Sequence, residues 1–272
     1  MRIAKEIFGS GPLAGIALVL AFVLMVFALV PGPIAPYDPI ILDVSNRLKP
    51  PSFANPFGTD EAGRDIFSRV IHGTRYSLGV AFAIFTSAAV FGTLYGVISG
   101  MASNWIDNLM MRLVDLVFGF PALVLALAIS AVIGRGLNSM TLALALMWWP
   151  GFARLVRGEV LRLRHEPHVE AALALGVATP TIMLRHIVPF LLSAVNVRVT
   201  TDIGYALVAV TALSFLGLGA TSPTPEWGLL IRDSRSYFGS AWWYLVFPGG
   251  IVMLTATVFS LLGDALDARR GV

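Results

Sequence analysis

Six stretches of the chain are apolar for long enough to cross a bilayer. The first runs from about residue 13 to 30 and the others cover about 76–99, 113–133, 140–156, 190–216 and 242–262. A helix needs about 20 apolar residues to span roughly 30 Å of hydrocarbon, and most of these runs come close to that. Residues 31–57 are rich in Pro, Asp and Asn, show no helical period and read as a loop outside the membrane. From Asp60 to His72 a short helix is expected, with Asp60 and Glu61 in its first turn. Ile66, Phe67, Val70 and Ile71 lie on one face, and Gly73 ends it. Pro121, Pro150 and Gly204 fall inside or beside the spans, where neighbouring helices can satisfy the freed backbone groups. Small residues on the second span, Ser87 to Ala89, Gly92 and Gly96, favour close helix packing.

The resulting picture is an all-α, polytopic membrane protein of six transmembrane helices. A first helix and extracytoplasmic loop occupy residues 1–75, and five helices with a loop at about 158–189 occupy residues 76–272. Composition agrees: 57% of residues are hydrophobic and 13% charged, where a soluble domain carries about 25% charged residues. The mean hydropathy is +0.79. The first run lacks a small-x-small cleavage context, since Val30-Pro31-Gly32-Pro33 follows it, and reads as a retained span rather than a signal peptide. Basic residues concentrate between the fourth and fifth spans (Arg154, Arg157, Arg162, Arg164, Arg185) and at the C-terminus (Arg269, Arg270). That places both termini in the cytoplasm, although Arg47, Lys49, Arg64, Arg69 and Arg75 also flank the first external loop. A formal charge of +3 without a basic patch interleaved with aromatics excludes a nucleic-acid partner, and no cysteine is present.

The segment between the fourth and fifth spans carries the sharpest signal. Pro167 suits the first turn of a short helix and Gly176 the position just past its end. Thr179 can cap a second short helix with Pro180 in its first turn, and Pro189 marks the entry to the fifth span. Two short helices with a break form a knuckle able to pass force from a moving partner into the membrane. Glu170-Ala171-Ala172, then Gly176, then His186-Ile187-Val188-Pro189 resembles the EAA motif of ABC importer permeases, with His186 and Val188 standing where Ile and Leu are usual. The Arg185-His186-Ile187 run, the block from Gly58 to Arg69, and Leu213 to Gly219 with Thr224 to Gly228 are similar to the dipeptide, oligopeptide and nickel branch of that family.

The resemblance implies a transport subunit and not an enzyme. It implies a second homologous permease, two ATP-binding subunits that hold ATP and Mg, an extracytoplasmic solute-binding protein, and membrane lipid around the whole. Glu170, Ala171, Ala172, Gly176 and Pro189 would then couple the chain to the ATPase. No Gly-x-x-x-x-Gly-Lys-Ser/Thr loop occurs in the chain. The cargo expected is a di- or oligopeptide. Alternatives are nickel or a nickel chelate, and from other classes an ion-driven secondary transporter or an intramembrane enzyme.

Within the fifth span, Arg198 and Asp202 share a helix face at four-residue spacing. Ionisable groups in a span face the bundle interior or a wet cavity. With Asn196, Thr200 and Thr201 they are candidates for a translocation path or for a structural ion pair. Arg112 and Asp115 read as interfacial, and Trp148, Trp149, Trp242 and Trp243 as aromatic-belt residues. The four histidines show no metal-ligand spacing.

Overall fold

The computed structural model describes residues 12–268, and the charges expected at the two ends of the chain lie outside the described residues. Among the described residues the chain is helical, with no β-strand. Helix α1 covers Pro12–Leu29, α2 Ile66–Met101, α3 Asn104–Phe118, α4 Ala122–Ile133 and α5 Leu137–Leu163. Helix α6 covers Pro167–Ala174, α7 Thr179–Ile182, α8 Val188–Phe215, α9 Trp227–Ser234 and α10 Trp242–Asp267. Five helical stretches are long and apolar enough to cross a membrane; a sixth crossing exists only if α3 and α4 count as one, and they meet at 87°. The third span expected over residues 113–133 is therefore two helices. Gly119 follows α3, and the residue before Pro121 is pushed out of helical geometry, so the chain turns there.

The short helix expected at Asp60–His72 is also corrected. Helix α2 starts at Ile66, capped by Asp65, whose carboxylate accepts from the backbone N–H and the hydroxyl of Ser68, both at 2.7 Å. Asp60 is not in its first turn. Its carboxylate folds back onto the N–H groups of Ala62 and Arg64 and takes the Arg64 guanidinium at 2.7 Å and that of Arg69 at 3.3 Å. All three charged side chains are buried. Glu61 joins them by accepting from Arg64 and from the Tyr244 hydroxyl, which ties the first loop to α10.

Gly73 does not stop the helix, which runs on unbroken to Met101. A side chain at Gly73 would meet the Pro225 carbonyl and the Trp227 ring, so its role is to admit that segment. Trp227 is fully buried and donates its ring N–H to the Val70 carbonyl at 2.9 Å. Beside it the buried Glu226 caps α9, accepting from the N–H groups of Gly228 and Leu229 at 2.7 and 2.8 Å. Burial pushes the Glu226 carboxyl above the usual carboxylate range, and those two N–H bonds work against the shift.

The centre of the bundle is the α2–α5 seam. Gly92, Gly96 and Gly100 of α2 lie directly against Trp149, Phe152, Ala153, Val156 and Val160 of α5. Helix α8 packs on both α2 and α10, and α1 lies outside against α10 through Ala14, Ala17, Val258, Leu262 and Ala265. Three of the four tryptophans read as belt residues are part of this packing. Trp149 sits between the rings of Phe91 and Tyr95, Trp148 against Phe85, and Trp243 is buried with its N–H on the Thr59 carbonyl at 3.3 Å. Only Trp242 is exposed.

Candidate functional site

The turn between α6 and α7 follows from its sequence almost residue by residue. Pro167 occupies the first turn of α6, where its missing N–H costs nothing. At the other end Gly176 takes φ = +75°, the left-handed region that L-residues avoid. Its N–H bonds back to Leu173 at 3.0 Å, and that of Val177 to Ala172 at 3.1 Å, so α6 ends in a Schellman motif. A side chain at Gly176 would meet nothing within 4 Å; the position needs glycine for its backbone angle and not for space.

Two sequence expectations fail here. Thr179 is not a cap: Ala178 holds that place and Thr179 begins α7. Nor is the second short helix separate. Helix α7 passes through a π-helical turn at Met183–Ile187 straight into α8, giving one continuous helical stretch, Thr179–Phe215, with Pro189 in the first turn of its last part. Proline there leaves the carbonyl one turn back without its usual donor, and the wider π turn absorbs the mismatch.

The segment has an inner and an outer face. Val169, Ala172, Ile182 and Ile187 are buried and join the main core. Ala171, Ala174, Leu175 and Leu184 point outward, with Leu175 83% and Leu184 69% exposed. Of the two alanines in the motif, Ala171 is exposed and Ala172 is buried. Glu170 stands exposed in the first turn of α6, its carboxylate 3.7 Å from His165. The exposed leucines were missed from sequence because an apolar residue in a membrane protein attracts no notice. For Leu175 the signal was position, just beyond a helix end already expected outside the membrane.

The five polar residues of α8 named as candidates separate into two groups. Arg198 donates to Asp202 at 2.5 Å; Asp202 is buried while Arg198 is about half exposed. Thr201 lies on the same side, where it packs so tightly on Gly263 of α10 that any side chain there would collide with it. Asn196 and Thr200 lie elsewhere: at about 100° per residue, Asn196 is roughly 200° round the helix from Arg198. A groove of about 320 Å³ between α8 and α10 is lined by Thr201, Tyr205, Thr257 and Ser260 among others. Tyr205 is exposed and also borders an apolar groove of about 400 Å³ between α4, α5 and α8.

Arg154 pairs with Asp115 at 2.7 Å, both exposed, and its guanidinium lies over the Phe118 ring. Arg157 grips Asp107 with two N–H groups. Among the described residues no three His, Cys, Asp or Glu side chains converge as metal ligands.

The unequal burial of the Arg198–Asp202 pair sets a specific expectation. Arg198→Ala leaves a buried carboxylate unmet, at about 1–3 kcal/mol. Asp202→Ala leaves a guanidinium that already reaches the open side. Arg198→Ala should lower detergent-extracted folded yield more than Asp202→Ala, and the double variant should recover part of the loss. Equal losses from the two single variants would mean that both charges are equally solvated.

A sequence profile described as "Binding-protein-dependent transport system inner membrane component" matches residues 92–272. The chain belongs to this family. It is 44% identical over 222 residues to a dipeptide transport system permease protein of Alkalihalophilus pseudofirmus, covering 82% of this chain and 73% of that one. A glutathione transport system permease protein of Escherichia coli O157:H7 is 42% identical over 252 residues, covering 92% and 83%. A probable D,D-dipeptide transport system permease protein of Escherichia coli K12 is 37% identical, covering 95% and 87%. In fold, this inner-membrane component matches an inward-facing methionine ABC transporter at a TM-score of 0.60 and 17% identity, over 74% of this chain and 95% of that one. The expectation of an ABC importer permease of the peptide family is met, and the all-α membrane fold holds with five spans, or six if the bent α3–α4 pair is counted as one.

Proposed function

We propose that this permease carries di- or oligopeptides inward, as one half of a membrane pore whose other half is a second homologous permease. Of two ATP-hydrolysing subunits, one docks on the α6–α7 turn of this chain, and a solute-binding protein delivers cargo from the opposite side. The observation that carries the docking is the outward face of that turn. Ala171, Ala174, Leu175 and Leu184 form an exposed apolar surface beside the exposed Glu170, on an element whose inner face is locked into the core. An apolar patch with a charged rim, held on rigid backbone, is what a partner protein grips. The peptide cargo is supported by the relatives named for dipeptides and glutathione.

The same proposal puts the α6–α7 turn in the cytoplasm. Arg162, Arg164 and Arg185 gather at that end. Of the basic residues flanking the first loop, Arg64 and Arg69 are buried on Asp60 and are not free loop charges.

Inverted-side comparison of vesicles tests both parts. The chain has no native cysteine, so Leu175→Cys supplies a single thiol. It should crosslink to the ATPase subunit and react with an impermeant maleimide only from the cytoplasmic face. Liposomes holding the whole complex should take up labelled dialanine with ATP, and liposomes holding this chain alone should not. Uptake by the isolated chain would refute the importer reading, and labelling of Leu175→Cys from the outside only would reverse the orientation.

A further inference from the structure

Helix α3 carries an apolar face that the rest of the chain leaves uncovered. Trp105, Leu109, Leu113 and Leu116 follow each other at steps of four, four and three residues, so they share one side of the helix. Each is exposed, Trp105 at 74%. The opposite side is fastened down. Val114 is fully buried, and Asp107 accepts from Ser99 of α2 and from Arg157 of α5. The third edge, Asn108, Arg112 and Asp115, is polar and exposed. The helix is thus held in place with an apolar stripe and a polar edge both facing outward.

We propose that α3 lies flat in the membrane interface, its Trp105–Leu116 face in the acyl region of one leaflet and its Arg112 edge at the headgroups. Three observations favour lipid as the occupant.

The first is direction. Helix α4 has 12 residues, about 18 Å, too short to cross roughly 30 Å of hydrocarbon alone, and α3 leaves it at 87°. If α4 runs along the membrane normal with the other spans, α3 runs along the membrane plane.

The second is depth. The Tyr95 hydroxyl of α2 donates to the Met110 carbonyl at 2.9 Å, and Ser99 of α2 reaches Asp107. Those residues lie six and two positions before the end of α2 at Met101, so α3 crosses about 3–9 Å short of that end. That places α3 near one end of a long span, the level at which an amphipathic helix can lie on a membrane, and not across its middle.

The third is continuity. Phe91, Leu94 and Ile98 form an exposed apolar row on α2, a membrane span, and that row leads directly to the α3 crossing at Tyr95. Trp105 at the start of the stripe has the amphipathic ring favoured at the interface. Naming the leaflet as cytoplasmic rests on the orientation proposed above; the depth and the lipid contact do not.

The test uses the whole complex in nanodiscs made with brominated phosphatidylcholine, since bromine quenches tryptophan emission on contact. Subtracting the emission of Trp105→Phe isolates the Trp105 signal from the other five tryptophans. That signal should lose more than half its intensity with bromines placed near the glycerol end of the chain, and less with bromines near the chain terminus. A tryptophan placed at Ile106 in the Trp105→Phe background, on the same outward side, should behave alike. Absence of quenching at both positions would show that protein, such as the second permease, covers the face. Stronger quenching by the deep bromines would show that α3 dips across the bilayer. Either result overturns the proposal, and neither bears on whether the complex imports peptide, which the dialanine assay reads separately.

Discussion

Gly96→Leu should remove nearly all folded protein from the membrane. A first side-chain atom at this position would lie 2.5 Å from the Ala153 carbonyl and 2.9 Å from the Val156 Cβ. Both belong to the stiff part of α5, so no flexible side chain can swing aside. The helices would have to part along a seam that also includes Gly92 against Trp149 and Phe152 and Gly100 against Val160. Overpacking costs about 1–3 kcal/mol and more where backbone must move, which at the upper end shifts a two-state equilibrium roughly a hundredfold. Membrane helices have no hydrophobic drive to hold them together and depend on this close contact. Gly79→Leu is the control: it lies on the same helix but faces open space, and should be tolerated. Fluorescence-detected size exclusion of tagged variants reads both. A monodisperse peak for Gly96→Leu at the wild-type level would mean that the seam is looser than these distances state.

Gly176→Val should fail in a different way. The residue has open space around it but a φ of +75°, and an L-residue there costs about 1–2 kcal/mol, more when it is β-branched. Nothing packs against Gly176 itself, so insertion and yield should stay near wild type. What should change is the Schellman closure through Leu173 and Ala172, and with it the angle at which Leu175 is presented. The reconstituted complex should then hydrolyse ATP with several-fold less peptide taken up per ATP, or lose the ATPase subunit on purification. Gly176→Asn, which tolerates the left-handed region, should recover much of the coupling. Normal uptake by Gly176→Val would remove the α6–α7 turn from any role in coupling.

The parts of this molecule that were legible in its sequence are those set by neighbours along the chain. Apolar length gave the spans, Pro167 and Gly176 bounded α6, and a four-residue spacing paired Arg198 with Asp202. The failures share a different cause. Gly73 looked like a helix stop because the Pro225–Trp227 segment it accommodates lies about 150 residues away in sequence. Trp243 looked like a belt residue because its acceptor, Thr59, is equally remote. Asp60 and Glu61 had the right charge for a helix start, but buried arginines recruited them. Pro121 read as a breaker tolerated within one span, and the packing of α3 across the ends of α2 and α5 makes it a right-angled bend. In the candidate site, the burial of Ala172 and the exposure of Leu175 depended in the same way on what lay beneath the turn.

The unbroken run from α7 through the π turn into α8 makes the two sides of the α6–α7 turn mechanically unequal. Toward α5 the chain leaves regular helix between Leu163 and Pro167, a joint that can bend. Toward α8 there is no joint: 37 helical residues form a rod of about 55 Å. If a partner pushes on the turn, as proposed above, the push would be absorbed on one side and delivered on the other, along a lever whose arm passes Arg198, Asp202 and Tyr205. The compliant point along that lever is the π turn at Met183–Ile187, where one stiff segment meets the next. On the proposed docking, a tilt of that rod would move the fifth span, with its gearing set at the five residues Met183–Ile187.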